Sequence, residues 1–181
     1  MLPTMPKRIV ITGGPGTGKS SVINHLRDLG YYCLPEISRE IIREAQENGH
    51  LNPFVENPLQ FSNLLLHGRM EQHHYALHFS LSKLFYDRGI PDIAAYLDFA
   101  RLRVPKIVET ACANYRYDQV FLLPPWESIF TTDNERYENF EQAIEIHDNI
   151  KNTYNAFGYN LTEVPKATIA ERAAFIIKNV L

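Results

Sequence analysis

Eight residues, Gly13-Gly14-Pro15-Gly16-Thr17-Gly18-Lys19-Ser20, have the types and spacing needed to hold phosphate: a glycine, four free positions, then Gly-Lys-Ser. Glycines let the chain curl around an anion and approach it closely, so that successive backbone N–H groups point inward. A helix beginning near Gly18 or Lys19 adds its unpaired N–H groups and the positive end of its dipole. Lys19 is then placed to reach the outer phosphates of a nucleoside triphosphate, and the Ser20 hydroxyl offers a hard oxygen to Mg²⁺. Ser21 continues the same first turn. The competing reading is a glycine-rich turn followed by a coincidental Lys-Ser. The flanking residues favour phosphate binding, because Arg8–Thr12 reads as a short buried strand and Ser21–Leu29 as a helix stopped by Gly30.

Five other positions could do chemistry beside a bound triphosphate. Glu36 follows the apolar stretch Tyr31–Pro35, and carboxyl ends of strands are where ligands bind in open α/β sheets. It reads as a base or as a carboxylate that binds an acceptor, against the plainer role of an acid at a helix N-terminus. Arg39 lies one turn along the same helix. It reads as an acceptor or phosphate contact, against a solvated charge. Asp87 ends the apolar run Lys83–Tyr86 and matches the carboxylate that holds Mg²⁺ or its water in phosphate-loop proteins. Arg88 adjoins it with a fork suited to oxyanions. Asp92 reads as a helix cap. Arg136 falls in a polar segment, residues 126–138, placed to close over phosphates as a lid and to bring charge to a transferring phosphoryl group. His74 and His78, four apart on a predicted helix, have metal-binding spacing without a third ligand to complete it.

These residues need a scaffold that alternates strand and helix. Strands are predicted near 8–12, 31–35, 83–87, 118–123 and 159–165. Helices are predicted at 21–29, 36–48, 57–78, after Pro91, at 105–115, from Phe140 to Phe157 and over 166–181, with Ile169, Ala173, Ile176, Ile177 and Val180 buried in the last. Leu51–Pro58 reads as a loop. Such alternation predicts a three-layer α/β architecture around a parallel sheet, although spacing does not set the strand order.

The chain has 181 residues, a net charge of −3 and 45% hydrophobic residues. That size and composition predict one domain over residues 1–181. The net charge disfavours a protein built around a nucleic-acid backbone. No apolar run reaches the length of a membrane span, and the N-terminal residues lack the apolar centre of a signal peptide. Two cysteines without metal-like spacing suit a reducing cytoplasm.

Taken together, several motifs resemble the AAA-type ATPase domain family related to the nicotinamide riboside kinase domain of NadR. They are the phosphate loop, Glu36-Ile37-Ser38-Arg39-Glu40, Asp87-Arg88-Gly89, Tyr117–Leu123 and the span from Pro125-Trp126 to Asp133-Asn134-Glu135-Arg136. Arg88 is also similar to the arginine of the acid-Arg pair in deoxynucleoside and thymidylate kinases. The resemblance implies a phosphate-loop NTPase fold, a five-stranded sheet in the order 2-3-1-4-5, and Mg-ATP in the loop. The first functional reading is a kinase that moves the γ-phosphoryl of ATP to a hydroxyl or phosphate of an unidentified small-molecule acceptor, with Glu36, Arg39 and Arg88 lining the acceptor pocket and Glu36 or Asp87 taking the hydroxyl proton. Two other readings stand beside it: an ATPase or nucleotide-dependent switch acting on a protein partner, and a non-catalytic nucleotide-binding module. The acceptor, the choice of ATP or GTP and the oligomeric state, a homodimer included, are open at this stage.

Overall fold

The structure is a computed structural model that describes residues 6–78, 81–131 and 138–181. Five parallel strands, β1 (Lys7–Gly13), β2 (Cys33–Leu34), β3 (Lys83–Asp87), β4 (Gln119–Leu123) and β5 (Leu161–Glu163), pair in the order β2-β3-β1-β4-β5. The order is the one implied by the family resemblance. The helices are α1 (Lys19–Asp28), α2 (Ile37–Glu47), α3 (Pro53–Glu56), α4 (Pro58–Tyr75), α5 (Pro91–Phe99), α6 (Lys106–Asn114), α7 (Phe140–Ala156) and α8 (Ile169–Asn179).

Side chains alternate across a strand, and here both faces are covered. Ile9 and Ile11 of β1 pack with Phe85, Phe121 and Leu123 beneath Val22, Ile23 and Leu26 of α1 and Ala173 and Ile176 of α8. Val10, between them in sequence, faces the other way with Tyr86, Val120 and Leu122 against Ala95 of α5 and Ile146, Ile150 and Tyr154 of α7. A third cluster joins α4, α5 and α6 through Leu66, Ile93, Leu97 and Cys112.

The register carries the consequence for function. Ile11 pairs with Asp87, and Leu34 with Tyr86. Gly13, Glu36 and Asp87 therefore leave the sheet side by side at its carboxyl edge.

Several boundaries differ from expectation. β2 keeps two residues because Pro35 cannot donate to a ladder. The predicted loop 51–58 contains α3, which Asn52 caps by accepting from the Val55 N–H. α4 gives way to a tighter turn at Ala76–His78, so His74 and His78 do not share one α-helical face. His74 packs against Tyr115 and His78 against Tyr75. Among the described residues no group of three or more His, Cys, Asp or Glu could hold a metal ion. α8 begins at Ile169, not Lys166, because Thr168 and Glu171 form a capping box there. That start leaves Ile169 exposed, against expectation. Cys33 and Cys112 are free and buried. Among the described residues no helix is long and apolar enough to cross a membrane.

Candidate active site

β1 delivers the chain into the loop, and Gly18, in the left-handed conformation, caps α1. Glycine is required at Gly16 for two reasons. Its φ is +70°, and an added Cβ would stand 2.3 Å from the Phe130 ring. The loop is braced at Thr17 on both sides. Thr17 Oγ1 donates to the Gly14 carbonyl at 3.0 Å, and Arg172 Nη2 donates to the Thr17 carbonyl at 2.7 Å. Arg172 is buried on α8, 155 residues away, so the last helix holds the loop in shape.

Lys19 is buried and reaches two carboxylates. Its Nζ donates to Asp87 Oδ1 in a close contact and to Glu36 Oε2 at 3.2 Å. Glu36 occupies the N-cap position of α2 but its side chain caps nothing. The carboxylate turns into the cleft instead, where Arg88 Nε meets Oε1 at 2.9 Å and Arg69 Nη2 lies 3.8 Å away. The plain helix-terminus reading of Glu36 therefore does not describe its position.

Arg39 Nη2 donates to Ser20 Oγ at 2.8 Å, which brings the first turn of α2 to the first turn of α1. Ser20, Glu36, Arg39 and Asp87 all line one cavity of about 430 Å³. A second, of about 540 Å³, runs from the loop residues Gly14–Ser21 along α2 to Arg88 and Tyr96.

Burial opposes ionisation of Glu36, but Lys19, Arg88 and Arg69 outweigh it and hold the carboxyl well below the usual range. Burial raises the Asp87 carboxyl instead. Lys19 opposes that rise without cancelling it, and the neighbouring Glu36 carboxylate reinforces it. Two adjacent acids are thus pushed apart, the pattern by which one site separates acid and base roles.

A family model described as an AAA domain matches residues 8–172. The chain belongs to the AAA domain family. Comparison of its sequence with curated proteins returns no match. Among solved structures, the domain is similar to deoxyadenosine kinase from M. mycoides with bound dATP, at 18% identity and a TM-score of 0.66, covering 95% of this chain and 97% of that one. It is also similar to NadR protein in complex with NR, at 15% identity and a TM-score of 0.73, covering 96% of this chain and 49% of that one. The same holds for NadR in complex with NAD and AMP-PNP, at 16% identity and a TM-score of 0.67, covering 98% and 51%. This AAA domain thus spans about half the length of the NadR chains. At these identities the likeness establishes the fold.

Of the residues singled out in the sequence of this AAA domain, Gly14–Ser21, Glu36, Arg39, Asp87 and Arg88 line these two cavities, and Gly13 ends β1 just before them. Arg136 lies outside the described residues, as do the other residues of 132–137 in the segment 126–138 expected to form a lid. At the near end of that segment, Phe130 packs on Gly16 and lies edge-on to Phe140 at 5.3 Å.

Three positions were not expected. Arg69 comes from the middle of α4, where it donates to the Gly89 carbonyl at 2.8 Å. Its neighbour Gly68 lets α2 and α4 meet, since a Cβ there would stand 2.7 Å from Ile37. Tyr96 offers its ring to Arg88, 5.2 Å from the centroid. Asp92 is not the N-cap of α5, a position held by Ile90. It lies in the first turn, is 1% exposed, and accepts from four groups: Thr12 Oγ1, Arg88 Nη1 at 3.1 Å, Gly89 N–H at 2.9 Å and Tyr154 OH at 2.7 Å.

Lys19→Ala tests the phosphate role. A charge-assisted hydrogen bond contributes about 1.5–3 kcal/mol, so nucleotide affinity is expected to fall about 10- to 100-fold. Titration with a fluorescent ATP analogue, with circular dichroism to confirm the fold, measures it. Affinity equal to that of the parent would remove the phosphate-loop reading.

Proposed function

We propose that this AAA domain is a small-molecule kinase. It transfers the γ-phosphoryl group of Mg-ATP to a hydroxyl of a nucleoside-like acceptor. The observation that supports it is Glu36, a carboxylate only 9% exposed, set between Lys19 and Arg88 on the wall of a cavity of about 540 Å³ that continues past the phosphate loop. Hydrolysis needs only room for water. A cavity of this size suits a second small molecule. The likeness to deoxyadenosine kinase points to the same class.

In this reading the loop amides and Lys19 hold the triphosphate, and Arg136 adds charge from the lid. Ser20 Oγ and Asp87 are hard oxygen donors on one cavity and fit Mg²⁺, with phosphate oxygens and water as further ligands. When bound, the metal neutralises charge on the β- and γ-phosphates. Glu36 orients the acceptor hydroxyl. The acceptor oxygen forms its bond to the γ-phosphorus, the bond from that phosphorus to the bridging oxygen breaks, and ADP leaves with the electron pair. The hydroxyl proton passes to Glu36. Held by three cations Glu36 is a weak base, but the arriving phosphates draw Lys19 away and strengthen it. Nucleotide binding thereby prepares the base.

The alternative, an ATPase or nucleotide-dependent switch acting on a protein partner, is supported by the AAA domain match. One measurement separates the two. ADP release is followed with Mg-ATP alone and with a panel of nucleosides and related hydroxyl compounds. A kinase releases ADP in step with phosphorylated acceptor. Release that is indifferent to every acceptor and rises with a protein partner favours the switch.

A further inference from the structure

The larger cavity is not electrically balanced. Lys19, Arg39, Arg43 and Arg88 line it, against Glu36 and Glu138. Lys19 and Arg88 are already engaged by Glu36, Asp87 and Asp92. Arg39 has a neutral partner, the Ser20 hydroxyl. Arg43 has no hydrogen bond or ion pair among the described residues, and it lies one turn beyond Arg39 on the same face of α2. Ile42 and Gln46 complete that wall.

Position along the helix turns this surplus into a distance. α2 starts from its N-cap, Glu36, at the floor of the cavity. At 1.5 Å per residue, Arg39 stands about 5 Å and Arg43 about 10 Å along the axis from Glu36. The loop amides, Lys19 and Ser20 are the groups that meet a triphosphate, and of the cavity's cations Arg43 is the one farthest along α2 from Glu36. An acceptor whose hydroxyl rests at Glu36 extends along this wall and ends among Arg39, Arg43 and Gln46. Arginine forks match phosphate and carboxylate oxygens in pairs.

We propose that the acceptor is an anion: a hydroxyl compound bearing a phosphate or carboxylate about 5–10 Å from the reacting oxygen, held by Arg43 together with Arg39. The proposal rests on the kinase reading above. It narrows the substrate to phosphate esters or hydroxy acids of nucleoside size and disfavours cationic acceptors, which Arg39 and Arg43 would repel.

The test is calorimetric binding to the protein preloaded with Mg²⁺ and a non-hydrolysable ATP analogue, which fills the phosphate loop. Probes come in pairs that differ only in the anion. The phosphate arm uses AMP against adenosine, TMP against thymidine and glucose 6-phosphate against glucose. The carboxylate arm uses galacturonate against galactose and glycerate against glycerol. In at least one arm the anionic member is expected to bind tenfold or more tightly than its neutral partner. Arg43→Ala should weaken that binding about 10- to 100-fold, the range for a charge-assisted hydrogen bond. Arg43→Lys should recover part of the loss, and Arg101→Ala, remote from the cavity, should leave it unchanged. Binding of neither arm, a preference for the neutral members, or an Arg43→Ala protein that binds like the parent overturns the inference. Failure of the kinase reading looks different. A phosphorylated neutral acceptor keeps the kinase and ends the anion proposal, whereas an anion that binds at Arg43 and is never phosphorylated ends the acceptor role itself.

Discussion

Glu36→Gln is expected to keep Mg-ATP affinity within a few fold and to lose phosphoryl transfer by about 10²- to 10⁴-fold, the range for loss of a general base. The amide can still accept a hydrogen bond from an acceptor hydroxyl, but it takes no proton. The substitution also removes the negative charge that Lys19, Arg88 and Arg69 share. Lys19 keeps Asp87 and Arg88 keeps Asp92, but taking one charge out of a buried network still costs stability, so the melting temperature is to be measured beside the rate. The sign of the pH dependence follows from the depressed carboxyl. Its stabilising contribution is full above the ordinary value of 4.5 and is lost as pH falls below it towards the folded value. The Gln variant should therefore show a shallower loss of stability on acidification than the parent. Transfer unchanged in the variant would pass the proton-accepting role to Asp87, whose raised carboxyl is the stronger base of the two. Insensitive basal hydrolysis together with no usable acceptor would favour the switch.

What the sequence exposes and what it hides divide along one physical line. The phosphate loop is contiguous, and each residue has a local reason to be there, so it is legible without a structure. Asp87 and Glu36 are legible because strand ends can be read from apolar runs, even though β2 proves to be two residues long. The register Ile11 to Asp87, which sets Lys19 against Asp87, depends on pairing between segments 76 residues apart and leaves no local trace. Arg69 and Arg172 are harder still. Both are charges on helices whose buried destination is set by tertiary packing. The one available signal for Arg69 is the glycine before it in an apolar helix, which marks a close helix crossing. Asp92 misleads for the opposite reason. An acid in a first helical turn has a sufficient local explanation, and that explanation conceals its four partners.

Asp92 carries the second large expected effect. Asp92→Ala strands the Tyr154 hydroxyl, the Thr12 hydroxyl, the Gly89 N–H and one edge of Arg88 in a buried site. Breaking a buried charged network by removing one partner costs about 3–5 kcal/mol. For a chain of this size each kcal/mol lowers the melting temperature about 2–4 °C, so a drop of about 6–20 °C is expected. Asp92→Asn keeps the volume and retains one accepting oxygen, and should lose less. The network also has a directional consequence. Arg88 holds a left-handed backbone, with φ +71°, and gives Nε to Glu36 and Nη1 to Asp92. Such a conformation persists only where surrounding contacts enforce it. Asp92 thus ties the Arg88 guanidinium, which lines the cavity, to the strand before the loop and to α7. A purely structural role would lower stability alone. A positioning role predicts a further loss of kcat/KM for the acceptor, and that loss must run through Arg88. The double-mutant cycle of Asp92→Asn with Arg88→Lys separates the two. The effect of Asp92→Asn on kcat/KM should largely vanish once Arg88 is Lys, while its effect on melting temperature persists. Additive losses in kcat/KM would mean that Asp92 supports the fold and does not aim Arg88.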